Sequence, residues 1–293
     1  MKAGIIGLPK TGKTTIFNAL TRGEQSTDKY APPSLEANIG VVQVADERID
    51  KLSELYKPKK TISATIEYHD YPGIFYKESE TSETALLSDI KNAEAFILVL
   101  RGFRDEELEG LYPLDTPLEQ FQHFQEEMLL YDLIIAEKRL EKIKLGYKRG
   151  VKTPAVQIEE KALHKIVDCL QINKPIKSIE LDNEEEKAIR GFQFFSAKPM
   201  LILINCNEDN INAWDETLKT FTEKGYYAYT IAGKFEEELS KLENEEAQMF
   251  MEDMGISESI RDRLTHWTYQ LMGYISFFTV GPDEVRAWTI EKG

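Results

Sequence analysis

The chain runs to 293 residues, with 36 basic and 51 acidic side chains and a formal net charge of −15. That length can bury a sizeable core in one or a few domains, and the acidic balance excludes generic attraction of the whole chain to nucleic acid, DNA included, or to an anionic membrane. Only two cysteines are present, Cys169 and Cys206, far apart in sequence, so no disulfide framework or structural zinc site is expected; the first glycine-rich turn comes too early for a signal peptide, and no apolar run reaches membrane-spanning length, so a soluble cytoplasmic protein is expected.

A short apolar run, Ala3 to Ile6, leads into Gly7-Leu-Pro-Lys-Thr-Gly-Lys-Thr-Thr15 and then a helical pattern from about Lys13 to Leu20. Gly7, Gly12, Lys13 and Thr14 fit G-x-x-x-x-G-K-[ST], the phosphate loop of nucleoside triphosphatases. Glycines let successive backbone N–H groups converge on phosphate oxygens, and the positive end of the following helix adds favourable potential. The residues from Pro9 through Lys10, Thr11, Gly12, Lys13 and Thr14 to Thr15 therefore form the candidate phosphate site. Lys13 can reach the β- and γ-phosphates, and the Thr14 hydroxyl can ligate Mg²⁺.

Residues 23–37 are polar, contain Pro32-Pro33 and read as a loop. Ser34 inside it either meets Mg²⁺ or the γ-phosphate when the loop closes, or is an ordinary exposed serine. Strands are predicted at Ile39 to Val44 and Ser63 to His69, bracketing a helix from Asp46 to Tyr56 that Pro58 ends. Asp70-Tyr-Pro-Gly73 follows. An Asp at a strand end with Gly three residues on can hold Mg²⁺ while the Gly N–H senses the γ-phosphate; the same residues are also ordinary turn chemistry. Residues 76–84 are polar and are a second candidate switch. A helix is expected from Thr84 to Ala93 and a buried strand from Ala95 to Leu100.

From Pro117 the pattern changes. Phe121, Phe124, Met128, Tyr131 and Ile135 step by three and four, predicting a long amphipathic helix to about Leu145. Gly146 to Pro154 breaks it, a second helix from Ile158 to Leu170 pairs back on it, and a short one spans Asn183 to Gly191. Lys57, Lys59 and Lys60, and the run from Lys142 to Lys152, read either as local basic patches or as solvated faces.

Met200 to Ile204 is a buried strand ending in Asn205-Cys-Asn-Glu208, and Tyr226 to Ile231 is another, ending in Ala232-Gly-Lys234. Asn205 would tie the loop together and touch a purine edge, Glu208 would face the polar edge of the base, and Ala232, Gly233 and Lys234 would flank it. Helices are expected from Phe235 to Met249 and from Ser259 to Met272, then a hairpin of Ile275 to Val280 with Val285 to Ile290. Two strands do not make a stable unit alone.

With those stretches in view, the chain resembles the YchF/Obg-like ATPase family of P-loop GTPases (TRAFAC class) over nearly its whole length. The resemblance is carried by residues 7–21, 36–42, Asp70 to Gly73, Asn205 to Glu208 and above all Phe277-Phe-Thr-Val-Gly-Pro-Asp-Glu-Val-Arg-Ala-Trp-Thr-Ile-Glu-Lys-Gly293. It implies a Ras-like α/β G domain with a mostly parallel sheet, in two parts, 1–116 and 191–274. It also implies a helical, coiled-coil-like insertion at 117–190, and at 275–293 the opening hairpin of a TGS domain that is otherwise missing. It further implies slow Mg²⁺-dependent hydrolysis of ATP, with GTP used less well, and association with ribosomes. Asn205 and Glu208 match the family's N-x-x-E signature in place of N-K-x-D. That matters chemically, because the Asp of ordinary GTPases accepts from guanine groups that adenine lacks.

There are departures. Lys10 stands where the family has Asn, a residue that helps hold K⁺ in relatives that use it, so K⁺ dependence is open. Ser34 replaces Thr. The second switch is shorter and lacks glycine, and Ile74 stands where many GTPases carry a catalytic Gln. The expectation is a nucleotide-dependent switch with weak activity, in which Lys13, Asp70 and Gly73 carry the chemistry. The alternatives are a GTP-specific GTPase and a non-hydrolysing, nucleotide-stabilised interaction module.

Overall fold

The computed structural model describes residues 1–23, 37–73, 89–105, 116–253 and 257–292. A six-stranded sheet carries the architecture. Its strands are β1 (Lys2–Ile6), β2 (Asn38–Gln43), β4 (Thr65–Asp70), β5 (Ala95–Arg101), β6 (Met200–Asn205) and β7 (Tyr227–Ile231), in the order β2-β4-β1-β5-β6-β7. All neighbours pair in parallel except the edge strand β2, which runs antiparallel to β4. Central strands are buried on both faces, which is why Ala95–Arg101 and Met200–Asn205 read as unbroken apolar runs rather than alternating ones.

Side chains at alternate positions feed two cores. Ile97, Val99, Leu201 and Leu203 meet α1 (Lys13–Thr21), α2 (Glu47–Tyr56) and the last helix, Ile260–Leu271, on one face. Phe96, Leu98, Ile202 and Ile204 meet Phe121, Phe124 and Met128 of the long helix α3 (Pro117–Lys148) on the other. Thr116 and Glu119 close a capping box at the start of α3, with Pro117 in its first turn. Beyond Met128 the same helix turns its apolar face to α4 (Pro154–Gln171), and Leu129, Ala136, Leu140 and Ile143 pack with Leu163 and Ile166 in a third core. Asp132, fully buried on α3, accepts from Phe195 N, Ser196 N and Ser196 Oγ and fixes the arm to the chain entering β6.

Four features differ from the sequence expectation. Helix α4 starts four residues sooner, because Thr153 caps it and Pro154 fits its first turn. After α5 (Asn183–Ile189) and β6, an unforeseen α6 (Asp215–Glu223) packs Phe221 under the sheet. The expected helix from Phe235 to Met249 is two, α7 (Gly233–Ser240) and α8 (Asn244–Asp253), before α9 (Ile260–Leu271) capped by Ser259. Finally, the hairpin of β8 (Tyr274–Val280) and β9 (Glu284–Glu291) recruits a third strand, β3 (Lys60–Ile62), parallel to β9. Val285 and Ala287 then bury into the first core, which explains how so short a hairpin is held. Half of the expected helix Thr84 to Ala93, residues 84–88, lies outside the described residues. Among those described, no helix is long and apolar enough to cross a membrane.

Candidate functional site

The site sits at the carboxyl ends of β1, β4, β6 and β7, where an open α/β sheet presents its ligands. The loop from Gly7 to Gly12 leaves β1 and turns into α1. Gly12 is the N-cap of that helix with φ 87°, a conformation that a β-carbon opposes, and a Cβ there would lie 2.1 Å from Asn205 Nδ2. Lys10 also takes a left-handed backbone, φ 60°.

The Lys13 side chain is buried and folds back over the loop, donating to Leu8 O at 2.8 Å and Gly7 O at 3.4 Å. Burial pulls its pKa down to about 8, opposed by the Asp70 charge and reinforced by Lys10. Thr11 Oγ1 donates to Leu8 O at 3.2 Å, which ties the loop from within. Pro9, Thr14 and Thr15 are half-buried around it.

Asp70, at the end of β4, comes to the start of α1. Thr14 Oγ1 donates to Asp70 Oδ2 at 2.8 Å, joining two motifs 56 residues apart. Asn38 Nδ2 donates to the same oxygen at 3.3 Å; the antiparallel register puts Asn38 directly opposite Asp70. Burial raises the Asp70 pKa, against the pull of Lys13, Thr14 and Asn38. Its second oxygen, Oδ1, is buried and has no hydrogen-bond partner among the described residues. An orphaned carboxylate oxygen beside a hydroxyl is a hard-oxygen donor set of the kind Mg²⁺ takes when phosphate and water complete the shell, so these residues fit that ion. Gly73 passes so close to the phosphate loop that a Cβ would stand 2.6 Å from Pro9 N and Cγ.

Asn205 is the third anchor. Its Nδ2 donates to Thr11 O at 3.0 Å and its Oδ1 accepts from Gly233 N at 3.0 Å, while its backbone O accepts from Gly102 N at 2.7 Å. One buried amide thus binds the phosphate loop, the end of β6 and the start of α7. Ala232 and Gly233 are buried beside it; Glu208 and Lys234 are exposed at the starts of a 3-10 turn (Glu208–Trp214) and of α7. Ser34 lies outside the described residues.

The structure therefore brings together Gly12, Lys13, Thr14, Asp70, Gly73, Asn205 and Gly233. Sequence reasoning gives no role to Asn38, although it lies in the 36–42 stretch that carries the resemblance; its meaning depends on strand register.

Comparison with known proteins follows the same lines. Residues 2–138 match the family model described as "50S ribosome-binding GTPase". The whole chain aligns with 82% of the ribosome-binding ATPase YchF of Bacillus subtilis at 33% identity and with 81% of that of Pasteurella multocida at 32%. It also superposes over its whole length on 81% of the solved Schizosaccharomyces pombe YchF GTPase, at TM-score 0.80 and 28% identity.

Proposed function

The chain belongs to the YchF family of P-loop GTPases, and we propose that it is a nucleotide-dependent switch that binds ATP and hydrolyses it slowly, in the cytoplasm and in association with ribosomes. The observation that carries this reading is the 2.8 Å bond from Thr14 to Asp70, with the second Asp70 oxygen left over beside it. Thr14 and Asp70, with Ser34 from the first switch, would hold Mg²⁺, which supplies charge neutralisation to the phosphates when bound. Lys13 leaves the carbonyls of Leu8 and Gly7 for the β- and γ-phosphates. Backbone N–H groups from Lys10 to Thr14 stabilise charge during transfer, and Thr15 supports the turn. Catalysis is then positioning and electrostatics. Gly73, already against Pro9, reports the γ-phosphate to the second switch. Asn205 and Glu208, with Ala232, Gly233 and Lys234, select and flank the base, favouring adenine.

We divide the chain into a G domain of residues 1–116 and 191–274, a helical arm of residues 117–190 and the opening of a TGS-like domain at 275–293. The relatives support the reading through their names: two are ribosome-binding ATPases and the solved structure is titled a GTPase. The last keeps GTP specificity as the second reading. Single-turnover hydrolysis with Mg²⁺ tests the enzyme assignment. A rate above the solution background that drops about 100-fold or more in Asp70→Ala is expected, since one such stabilising group is worth about that much. Intact ATP binding with cleavage at the background rate would instead identify a non-hydrolysing module.

A further inference from the structure

The tip of the helical arm carries charge opposite to the rest of the molecule. Residues 142–152 hold Lys142, Lys144, Lys148, Arg149 and Lys152 and none of the 51 acidic side chains. The remainder is thus more acidic than the net −15 suggests. All five cations are exposed, and among the described residues none enters an ion pair.

The acids of α4 beside the corner are bonded to other partners. Glu159 is held by Arg139 at 2.6 and 2.8 Å, and Glu160 accepts from Tyr147 Oη at 2.7 Å. Lys152 lies over the Tyr147 ring, 5.5 Å from its centroid. The turn itself is tightly built. Val151 N donates to Gly146 O at 3.0 Å, Gly150 takes φ 81°, and Thr153 caps α4. The cations are therefore displayed on an ordered corner rather than a loose tail. Leu145 and Val151 are exposed among them.

Distance gives the corner its use. From Leu129, where α3 leaves the G-domain core for α4, to Lys148 is about 30 Å at 1.5 Å per residue, nearly four Debye lengths of about 8 Å at physiological salt. A polyanion at the tip is thus screened from the acidic body, while one approaching the body is repelled. We propose that this corner docks on the phosphate backbone of structured RNA, a partner that matches five unpaired cations and demands no base-specific groups. The proposal deepens the ribosome-binding reading and rests on it. It assigns the RNA contact to residues 142–152 and fixes the orientation as tip-first.

The probe is a fluorescein-labelled RNA hairpin, titrated with the full chain at several salt concentrations. Five phosphate contacts give a log–log salt slope of about −4 and a several-hundred-fold loss of affinity between 50 and 200 mM salt. The triple variant Lys144→Glu, Lys148→Glu, Lys152→Glu should bind at least about 30-fold more weakly with a slope shallower by about three. It should keep wild-type helicity and ATP affinity. Lys57→Glu with Lys60→Glu, on the G domain, should leave both values alone. Equal RNA affinity in wild type and triple variant, or the whole loss appearing in the Lys57/Lys60 variant, would overturn the proposal. Co-sedimentation with purified ribosomes separates the two levels. If both proteins sediment, the tip assignment fails and the ribosome reading stands. If neither does, the ribosome reading fails. If only the wild type sediments yet neither binds the hairpin, the tip meets a protein surface and the RNA assignment fails.

Discussion

Replacing Asn205 by Ala should loosen the phosphate loop and the base loops together. The amide is buried and makes two side-chain bonds, one from Nδ2 to Thr11 O and one to Oδ1 from Gly233 N. Truncation leaves a carbonyl and an N–H without partners, at about 1–3 kcal/mol each. The centre of that range is about 4 kcal/mol for the pair. Unfolding entropy of roughly 2 cal/mol/K per residue over 293 residues gives about 0.6 kcal/mol/K, so the melting midpoint should fall by about 7 °C. Asn205→Asp separates bonding from shape. It keeps an acceptor for Gly233 N but sets an oxygen against Thr11 O, and it buries a charge. Its midpoint should fall at least as far as that of Asn205→Ala. Calorimetry of the nucleotide-free protein reads both, and the same proteins titrated with ATP should lose about tenfold or more in affinity. A shift under 1 °C in both variants, with unchanged ATP affinity, would refute the idea that this amide holds the site together.

The Lys13 pKa of about 8 in the free protein, set by burial, makes nucleotide binding pH-dependent. Polyphosphate favours the charged lysine, so near pH 7 little proton uptake accompanies binding. Above pH 8 binding should take up a proton and weaken by up to about tenfold per pH unit, which calorimetry in buffers of different ionisation enthalpy will read. Gly73→Ala places a Cβ 2.6 Å from Pro9; that overlap should cost about 1–3 kcal/mol and weaken ATP binding, and wild-type affinity in a folded variant would show that Gly73 does not abut the occupied loop. Thr116→Ala removes the capping box of α3 and should cost about 1 kcal/mol in denaturant unfolding without changing ATP affinity.

The phosphate loop was legible because it is local: strand, glycines, Lys13 and Thr14 lie within one turn of chain. Asp70 and Gly73 were legible because they end a strand at a fixed spacing. Asn205 was legible as an anchor but not as a bracket, since its partners Thr11 and Gly233 stand 194 and 28 residues away. Asn38 escaped because nothing local says that β2 runs antiparallel to β4 and sets it opposite Asp70. The third strand of the small sheet escaped for the same reason: Lys60 to Ile62 has only three residues, and its partner β9 is more than 200 residues on. Helix α6 hid its one fully buried side chain, Phe221, among polar neighbours. Pattern fixes what neighbours in sequence decide; long-range pairing decided the rest.

The central claim is that Gly7 to Thr14 grips the phosphates of a purine nucleotide while Asn205 and Glu208 favour adenine. Titration calorimetry of the folded chain, and of Lys13→Ala, with non-hydrolysable ATP and GTP analogues in Mg²⁺ tests it most directly. Saturable binding by the wild type, tighter for the ATP analogue and abolished by Lys13→Ala, is the expected result. No saturable binding of either analogue, or the same affinity with and without Lys13, would contradict it.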